Sequence, residues 1–121
     1  MKKLIPLIIL LLLFTTSCSK NEEPKEIKYQ TINQEEAVTK IDNGALLIDV
    51  REPIEHQLNK IEGSINIPLA SINEITTKYP NKEQIIIVYC ESGGRSKTAV
   101  EKLIALGYIN IYDLGSIHNW K

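Results

Sequence analysis

The feature that most constrains the fold is a pair of short apolar runs without alternation. Residues 45–50 contain a single polar side chain, Asp49, and residues 84–89 carry Ile, Ile, Ile and Val in succession. A strand with one face in water alternates apolar and polar residues, whereas a continuous apolar run of this length is typical of a strand covered on both faces. These runs therefore predict two central strands of a parallel sheet.

Segments with helical spacing lie between the apolar runs. Asn33 with Glu36 three residues later, and Ser71 with Glu74, are typical of helix starts, and Pro53 suits the first turn of a helix. The predicted helices are residues 33–44, 52–59, 71–79 and 96–106, and the predicted strands are residues 27–32, 45–50, 65–67, 84–89 and 109–112. This alternation indicates an α/β fold, a mostly parallel sheet of about five strands with helices on both faces.

The segment after the strongest strand has the features of an anion-binding loop. Ligands of parallel sheets bind at the carboxyl ends of the strands, and Cys90 stands at such an end. Gly93 and Gly94 permit positive φ, so that successive backbone N–H groups can point inward. The start of the helix predicted from Ser96 adds partial positive charge, and Arg95 adds a full one. These features favour a thiolate, so Cys90 is predicted to be a nucleophile or an anion carrier, with a small buried strand residue as the alternative.

The beginning of the chain differs in character from the rest. Lys2 and Lys3 precede an apolar run at residues 4–14, which is shorter than the roughly 20 residues that cross a bilayer. It is typical of the core of a signal peptide. Residues 15–18, Thr-Thr-Ser-Cys, resemble a lipobox, the site at which a bacterial lipoprotein is cleaved and its new N-terminal cysteine acylated. We expect a lipoprotein signal peptide at residues 1–17, a flexible polar tether at 18–28 and one domain at 29–121.

Charge and cysteine content limit the partners and the disulfides that we expect. Without Lys2 and Lys3 the chain keeps 12 of its 14 basic residues against 15 acidic ones, so nucleic acid is not expected as a partner. Acylation of Cys18 would leave Cys90 as the one free thiol and prevent an internal disulfide. The lipobox resemblance implies an extracytoplasmic protein held in a bacterial membrane by lipid, in the periplasm or at the cell surface. No sequence cluster has metal-ligand spacing, and we expect neither a metal nor another cofactor.

Four segments together resemble the rhodanese domain. They are LLIDVRE at residues 46–52, IEGSINIP at 61–68, VYCESGGRS at 88–96, and the ending at 113–120. The Cys-x-x-Gly-x-Arg-Ser loop combined with an upstream Asp-Val-Arg is a specific signature, and the resemblance covers about residues 29–121. It implies a sulfurtransferase that takes a sulfane sulfur from a small donor, thiosulfate or a persulfide, and passes it to a thiol or cyanide.

The resemblance also implies roles for particular residues. Cys90 would carry the sulfur as a persulfide, and Arg95 would fix the loop and help to hold an anionic donor. Ser96 would begin the helix and stabilise the sulfur through its hydroxyl or its N–H. Asp49 and Arg51 would order the strand end by pairing. The remaining residues would form a cradle of backbone donors: Glu91, Ser92, Gly93 and Gly94.

Three side chains near the predicted site invite separate expectations. Asn59-Lys60-Ile61 stands where the family often has Gly-His-Ile. The family's common histidine is therefore absent. We expect His56 to be a solvated surface residue, and we expect neither His56 nor His118 to act as a general base. Glu91 would repel a dianionic donor if it faces the mouth of the site, and would be a solvated charge if it faces water.

Two other functions remain open. A binding or signalling module could keep this fold without turnover, although Cys90 with its complete loop favours catalysis. Cysteine phosphatases and arsenate reductases of related architecture have five residues between Cys and Arg, whereas four separate Cys90 from Arg95. The shorter loop makes a tighter ring, sized for a sulfur atom and crowded for a phosphoryl group.

Overall fold

A parallel sheet of five strands organises residues 29–121, the part of the chain that this computed structural model describes. The strands are β1 (Gln30–Thr31), β2 (Leu46–Asp49), β3 (Ile65–Asn66), β4 (Ile86–Cys90) and β5 (Ile111–Ser116). Their order across the sheet is β1-β5-β4-β2-β3, and each neighbouring pair is parallel. The predicted α/β class and the predicted sheet are therefore confirmed.

Helices cover both faces of the sheet, as expected. The α-helices are α1 (Gln34–Asp42), α2 (Pro53–Leu58), α3 (Ile75–Lys78) and α4 (Gly94–Ala105), and two 3₁₀ helices lie at Leu69–Glu74 and Ile117–Asn119. The first 3₁₀ helix, α3 and α4 pack on one face, and α1 with the C-terminal 3₁₀ helix packs on the other. Helix α2 buries no side chain completely and lies at the carboxyl end of the strands, beside the predicted loop.

Strand β4 separates the two apolar cores. Ile86, Val88 and Cys90 belong to one core, Ile87 and Tyr89 belong to the other, and all five side chains are fully buried. Alternate residues of a strand point to opposite faces, so a strand with a core on each side needs an apolar residue at every position. This requirement explains the unbroken apolar run in the sequence.

The helix-start signals have different outcomes. Asn33 caps α1, because its Oδ1 accepts a hydrogen bond from the N–H of Glu36 at 2.9 Å, and Pro53 is the first residue of α2, as predicted. The helix start at Ser71 is wrong. The chain already turns after Pro68, whose carbonyl accepts from the N–H of Ser71 at 2.8 Å, so that Ser71 lies inside a 3₁₀ helix. Proline presets φ for such a turn.

The last strand begins and ends later than the sequence suggests. Ile109 lies before it and is 56% exposed, and β5 runs to Ser116. Leu114 is the extra residue of a bulge opposite β4, and Gly115 takes a φ of +79° at that point. The bulge lets the strand continue through a Gly-Ser segment that would otherwise indicate a turn. It brings Ser116 into register with Cys90.

The predicted signal peptide (residues 1–17), tether (18–28) and lipidation site Cys18 lie outside the described residues. The first predicted strand is described only from residue 29 onward, where β1 occupies Gln30–Thr31. Across residues 29–121, no helix combines the length and the apolar character that crossing a bilayer requires.

The Tyr108 hydroxyl connects the end of α4 to α3. It is fully buried, and it lies 2.7 Å from the carbonyl oxygen of Tyr79 and 3.2 Å from that of Ile75. We expect Tyr108→Phe to lower the free energy of unfolding by about 1 kcal/mol, the usual worth of one internal hydrogen bond. Urea denaturation measures this.

Tyr112→Phe is the matched control, because the Tyr112 hydroxyl has no hydrogen-bond partner among residues 29–121 and its half-buried ring is retained. Equal losses in the two variants would show that the Tyr108 hydroxyl contributes nothing specific.

Candidate active site

Cys90 is the last residue of β4, at the carboxyl edge of the sheet between β2 and β5. Its side chain is fully buried, and its Sγ accepts a hydrogen bond from the N–H of Gly93 at 3.0 Å. Gly93 has a φ of +101°, in the left-handed region that favours glycine. A Cβ on Gly93 would meet nothing closer than 4.0 Å, so backbone conformation, and not space, requires glycine here.

Helix α4 starts directly after this turn, two residues earlier than predicted. Gly93 is its N-terminal cap, and Gly94, which has no positive φ, is its first helical residue. The first N–H groups of a helix have no acceptor within the helix, so those from Gly94 onward are available to a negative charge beside Cys90. Ser92 and Gly94 are exposed.

Ser96 supports the loop through its side chain. It is fully buried, and its hydroxyl donates to the carbonyl oxygen of Gly93 at 3.0 Å. The hydroxyl proton is therefore engaged with the backbone, which corrects the expectation that the hydroxyl stabilises the sulfur. Stabilisation of the sulfur by the N–H of Ser96, in the first turn of α4, stays a prediction.

Arg95 forms a bidentate ion pair with Glu55 on α2. Nη1 lies 2.5 Å from Oε1, and Nη2 lies 3.0 Å from Oε2. The hydrogen bond from Arg95 lowers the pKa of Glu55 to about 2, and the same bond raises the pKa of Arg95. The pair ties the start of α4 to α2, and it balances the charge that Arg95 would otherwise present to an anionic donor.

Asp49 and Arg51 pair with each other, as expected, and both are buried. Arg51 donates from Nε at 3.1 Å, from Nη2 at 2.9 Å and from its backbone N–H at 2.9 Å to the Asp49 carboxylate. Burial opposes the ionisation of Asp49, but the hydrogen bonds from Arg51 and His56 outweigh it and lower the pKa of Asp49. Arg51 also donates to the carbonyl oxygen of Asn59.

Glu91 lies between the side chains of Arg51 and His118. Its Oε2 is 3.1 Å from Nη1 of Arg51, its Oε1 is 2.9 Å from Nε2 of His118, and its backbone oxygen accepts from the hydroxyl of Ser116 at 2.5 Å. The side chain is 44% exposed. Both carboxylate oxygens of Glu91 thus contact neighbouring side chains, so Glu91 is not simply a solvated charge.

The expectation for His56 is wrong. Its Nδ1 lies 2.9 Å from Oδ2 of Asp49, and its side chain is only 17% exposed. Helix α2 starts at Pro53, immediately after Glu52, and therefore turns His56 back over the end of β2. His56 donates to a buried carboxylate and is not a solvated surface residue.

Glu55, His56 and His118 are the side chains of this site that the sequence did not assign to it. The sequence does not reveal that Glu55 pairs with the loop, because Glu55 also forms a capping box with Glu52. The capping box alone accounts for a glutamate at this position. Within residues 29–121, no group of three or more His, Cys, Asp or Glu side chains is placed to hold a metal ion.

A buried cysteine at the end of a central parallel strand, with the N–H of Gly93 directed at its sulfur, defines a cysteine enzyme of the α/β class. A family profile described as "Rhodanese-like domain" matches residues 33–121. The chain belongs to the rhodanese family, and it is a sulfurtransferase.

Individual relatives agree with this assignment. Thiosulfate sulfurtransferase PspE of Escherichia coli (strain K12) is 39% identical over 71 residues, which make up 58% of this chain and 68% of that protein. A putative mitochondrial thiosulfate sulfurtransferase of Schizosaccharomyces pombe is 42% identical over 82 residues, and the match spans 58% of each protein. The solved structure of a rhodanese with anions from E. coli is 35% identical, with a TM-score of 0.60, and covers 63% of this chain and 91% of that one.

The Arg95–Glu55 pair leads to a prediction about pH. We expect Glu55→Gln to lower the free energy of unfolding at pH 7 by about 1 kcal/mol or less, since both side chains are about one-third exposed and water screens them. The pKa of Glu55 lies at about 2 in the folded protein, below its ordinary 4.5. Its stabilising effect is therefore complete above pH 4.5 and declines as the pH falls toward 2.

Urea denaturation of wild type and variant at pH 7 and at pH 3 measures the two differences. Glu74→Gln is the control, because Glu74 forms an exposed pair with Lys78 away from the loop. A difference that is the same at both pH values would contradict the assignment to the ionised carboxylate.

Proposed function

We propose that the protein transfers sulfane sulfur through a persulfide on Cys90. The thiolate of Cys90 attacks the outer sulfur of the donor, a new S–S bond forms, and the remainder of the donor leaves with the electron pair of the broken bond. An acceptor then attacks the outer sulfur of the persulfide, and Cys90 departs as a thiolate. The observation that carries this proposal is the 3.0 Å hydrogen bond from Gly93 to Sγ at the start of α4.

The loop backbone supplies the electrostatic stabilisation in this proposal. Negative charge stays on sulfur in every step, first on the Cys90 thiolate and then on the outer sulfur of the persulfide. Preorganised N–H groups stabilise such charge without reorganisation during the reaction. The Arg95–Glu55 pair holds one end of the loop, and Arg51 holds the other through Glu91.

Thiosulfate or a persulfide is the proposed donor, and a thiol or cyanide is the proposed acceptor. The E. coli and fission yeast relatives are named for thiosulfate, and the related E. coli structure contains anions. With thiosulfate as donor, sulfite is the leaving group, and with cyanide as acceptor, thiocyanate is the product.

Two alternatives are weaker on this geometry. A binding module without turnover would need neither the buried nucleophile nor the N–H directed at it. A phosphatase must place a tetrahedral phosphoryl group in the ring, whereas the loop here closes onto the sulfur after three residues, from Cys90 to Gly93.

The test is Cys90→Ser. We expect it to abolish transfer from thiosulfate to cyanide and to change the free energy of unfolding by about 1 kcal/mol or less, because serine is similar in size and its oxygen can accept from Gly93. Wild-type protein incubated with donor should gain the mass of one sulfur atom, and the variant should not. Transfer above background in the variant, or hydrolysis of an aryl phosphate by the wild type, would sink the assignment.

Glu91 tunes the response to donor charge. Thiosulfate carries two negative charges, and one carboxylate near its path opposes it by roughly 1 kcal/mol or less when water screens the pair, which is at most about a fivefold change in rate. We expect Glu91→Gln to raise kcat/KM for thiosulfate two- to fivefold, as an order-of-magnitude range, with the gain shrinking as salt is added.

Steady-state kinetics at low and high ionic strength measure this effect, with a singly charged organic persulfide as the matched donor. An unchanged kcat/KM for thiosulfate at low ionic strength would show that the charge of Glu91 does not act on the donor.

We also propose that the protein is lipid-anchored through Cys18, on the strength of the lipobox resemblance at residues 15–18. Cys18→Ser should block acylation and leave the precursor uncleaved by the lipoprotein peptidase, whereas Ser19→Ala should have no effect. Membrane fractionation with mass spectrometry of the N-terminus reads this out. A wild-type protein that is wholly soluble and cleaved elsewhere would show that residues 15–18 do not act as a lipobox.

A further inference from the structure

The C-terminal 3₁₀ helix holds His118 against Glu91, the residue that follows Cys90. Nε2 of His118 lies 2.9 Å from Oε1 of Glu91, and the backbone N–H of His118 donates to the hydroxyl of Ser116 at 3.1 Å. The same hydroxyl donates to the backbone oxygen of Glu91 at 2.5 Å. Both the backbone and the ring of His118 are therefore tied to Glu91.

His118 lies close enough to Cys90 for its charge to act on an anion there. Consecutive Cα atoms are about 3.8 Å apart, and a glutamate side chain extends about 5 Å, so the contact with Glu91 places the ring within roughly 12 Å of the Cα of Cys90. At an ionic strength of about 0.01 M, charges act over about 30 Å before salt screens them. The charge of His118 therefore acts on a donor at Cys90, whichever path the donor takes.

The ion pairs around the loop contain more carboxylates than guanidinium groups. Arg51 is shared between Asp49 and Glu91, so two carboxylates meet one guanidinium, and one negative charge is left over. Each carboxylate also contacts a histidine, His56 at Asp49 and His118 at Glu91. The side chain of His118 is 74% exposed and that of His56 is 17% exposed. His118 is thus the histidine of this network that exchanges protons most freely with water.

Other charged groups also face His118. Lys60 after α2, Glu36 on α1 and Lys121 line the surface depressions that His118 borders, and Glu91 is the carboxylate within salt-bridge distance of its ring among residues 29–121. Histidine is the side chain type whose ordinary charge change falls between about pH 5 and pH 8. Over that range, the charge beside Glu91 is expected to change at the imidazole.

We propose that His118 is a specificity-determining residue, whose charge sets the preference of the site between doubly and singly charged sulfur donors. This inference rests on the proposed function. Protonated His118 offsets the left-over negative charge and favours a dianion such as thiosulfate, whereas neutral His118 favours a donor with one charge. His118 transfers no proton: the Cys90 thiolate attacks the outer sulfur of either donor, and sulfite or a sulfinate leaves with the electron pair of the broken S–S bond.

The experiment compares thiosulfate, a dianion, with benzenethiosulfonate, a monoanion, on the full chain at low ionic strength. Single-turnover mass spectrometry gives the second-order rate constant for formation of the Cys90 persulfide from each donor. The ratio of the two constants cancels the ionisation of Cys90, because both donors meet the same thiolate. We expect the ratio of thiosulfate to benzenethiosulfonate to fall about two- to fivefold from pH 5 to pH 8, and salt to reduce this change.

Two substitutions at one position separate charge from structure. His118→Gln is neutral and His118→Arg is positive at every pH used, and both keep an N–H group that can donate to Glu91. The ratio should be independent of pH in both variants, low in His118→Gln and high in His118→Arg. A purely structural role would change both rate constants alike and leave the ratio unchanged. Lys78→Gln is the matched control, because Lys78 is an exposed charge on α3 that pairs with Glu74, and it should keep the pH dependence of the wild type.

The outcomes distinguish this inference from the proposed function. If the ratio still falls with pH in both His118 variants, the response belongs to another group, and the inference is overturned. A ratio that does not change with pH in the wild type also overturns it, while persulfide formation from either donor leaves the proposed function standing. If neither donor forms a persulfide on Cys90, the proposed function is refuted and the inference falls with it.

Discussion

The buried pair of Arg51 and Asp49 is the interaction on which the site depends. One guanidinium joins four parts of the chain: the carboxylate at the end of β2, the carbonyl oxygen of Asn59 after α2, the side chain of Glu91 in the loop, and the ring of Tyr89, 5.7 Å away. Loss of one partner of a buried pair leaves the other charge unbalanced, at a cost of about 3–5 kcal/mol. Such a pair is therefore stable only when all its polar groups are hydrogen-bonded, as they are here. The same hydrogen bonds fix the positions of the segments that the pair joins.

The two ion pairs of the site divide the task of holding the loop. Arg95 connects the first turn of α4 to α2, and Arg51 connects the residue after Cys90 to β2. Between these anchors the backbone needs one left-handed residue, Gly93, to turn its N–H toward sulfur. The charged side chains thus act mainly on the backbone, and the backbone acts on the sulfur. This arrangement explains how the small and polar residues 91–96 can hold the Cys90 sulfur in a fixed place.

Local signals in the sequence predicted most of the fold and part of the site. The apolar runs identified β2 and β4 because a strand buried on two faces needs apolar residues at nearly every position. Asn33 identified a helix start because its capping hydrogen bond spans only three residues. The Arg95–Glu55 and Arg51–Glu91 pairs each span forty residues, and no local pattern encodes which charges meet across such a separation. The bulge that extends β5 was missed for a related reason: Gly115 and Ser116 continue the strand only because β4 lies beside them.

The placement of Cys90 at the end of a strand shared by two cores links the interior to the reaction. Val88 and Cys90 project into one core, and Ile87 and Tyr89 project into the other, so repacking on either side displaces the same five-residue strand. Protein interiors are close-packed and transmit such shifts instead of absorbing them. Mutational drift in this protein should therefore be slowest along β4, with changes on one face tolerated only together with compensating changes on the opposite face. The reaction constrains the evolution of residues that never meet a substrate.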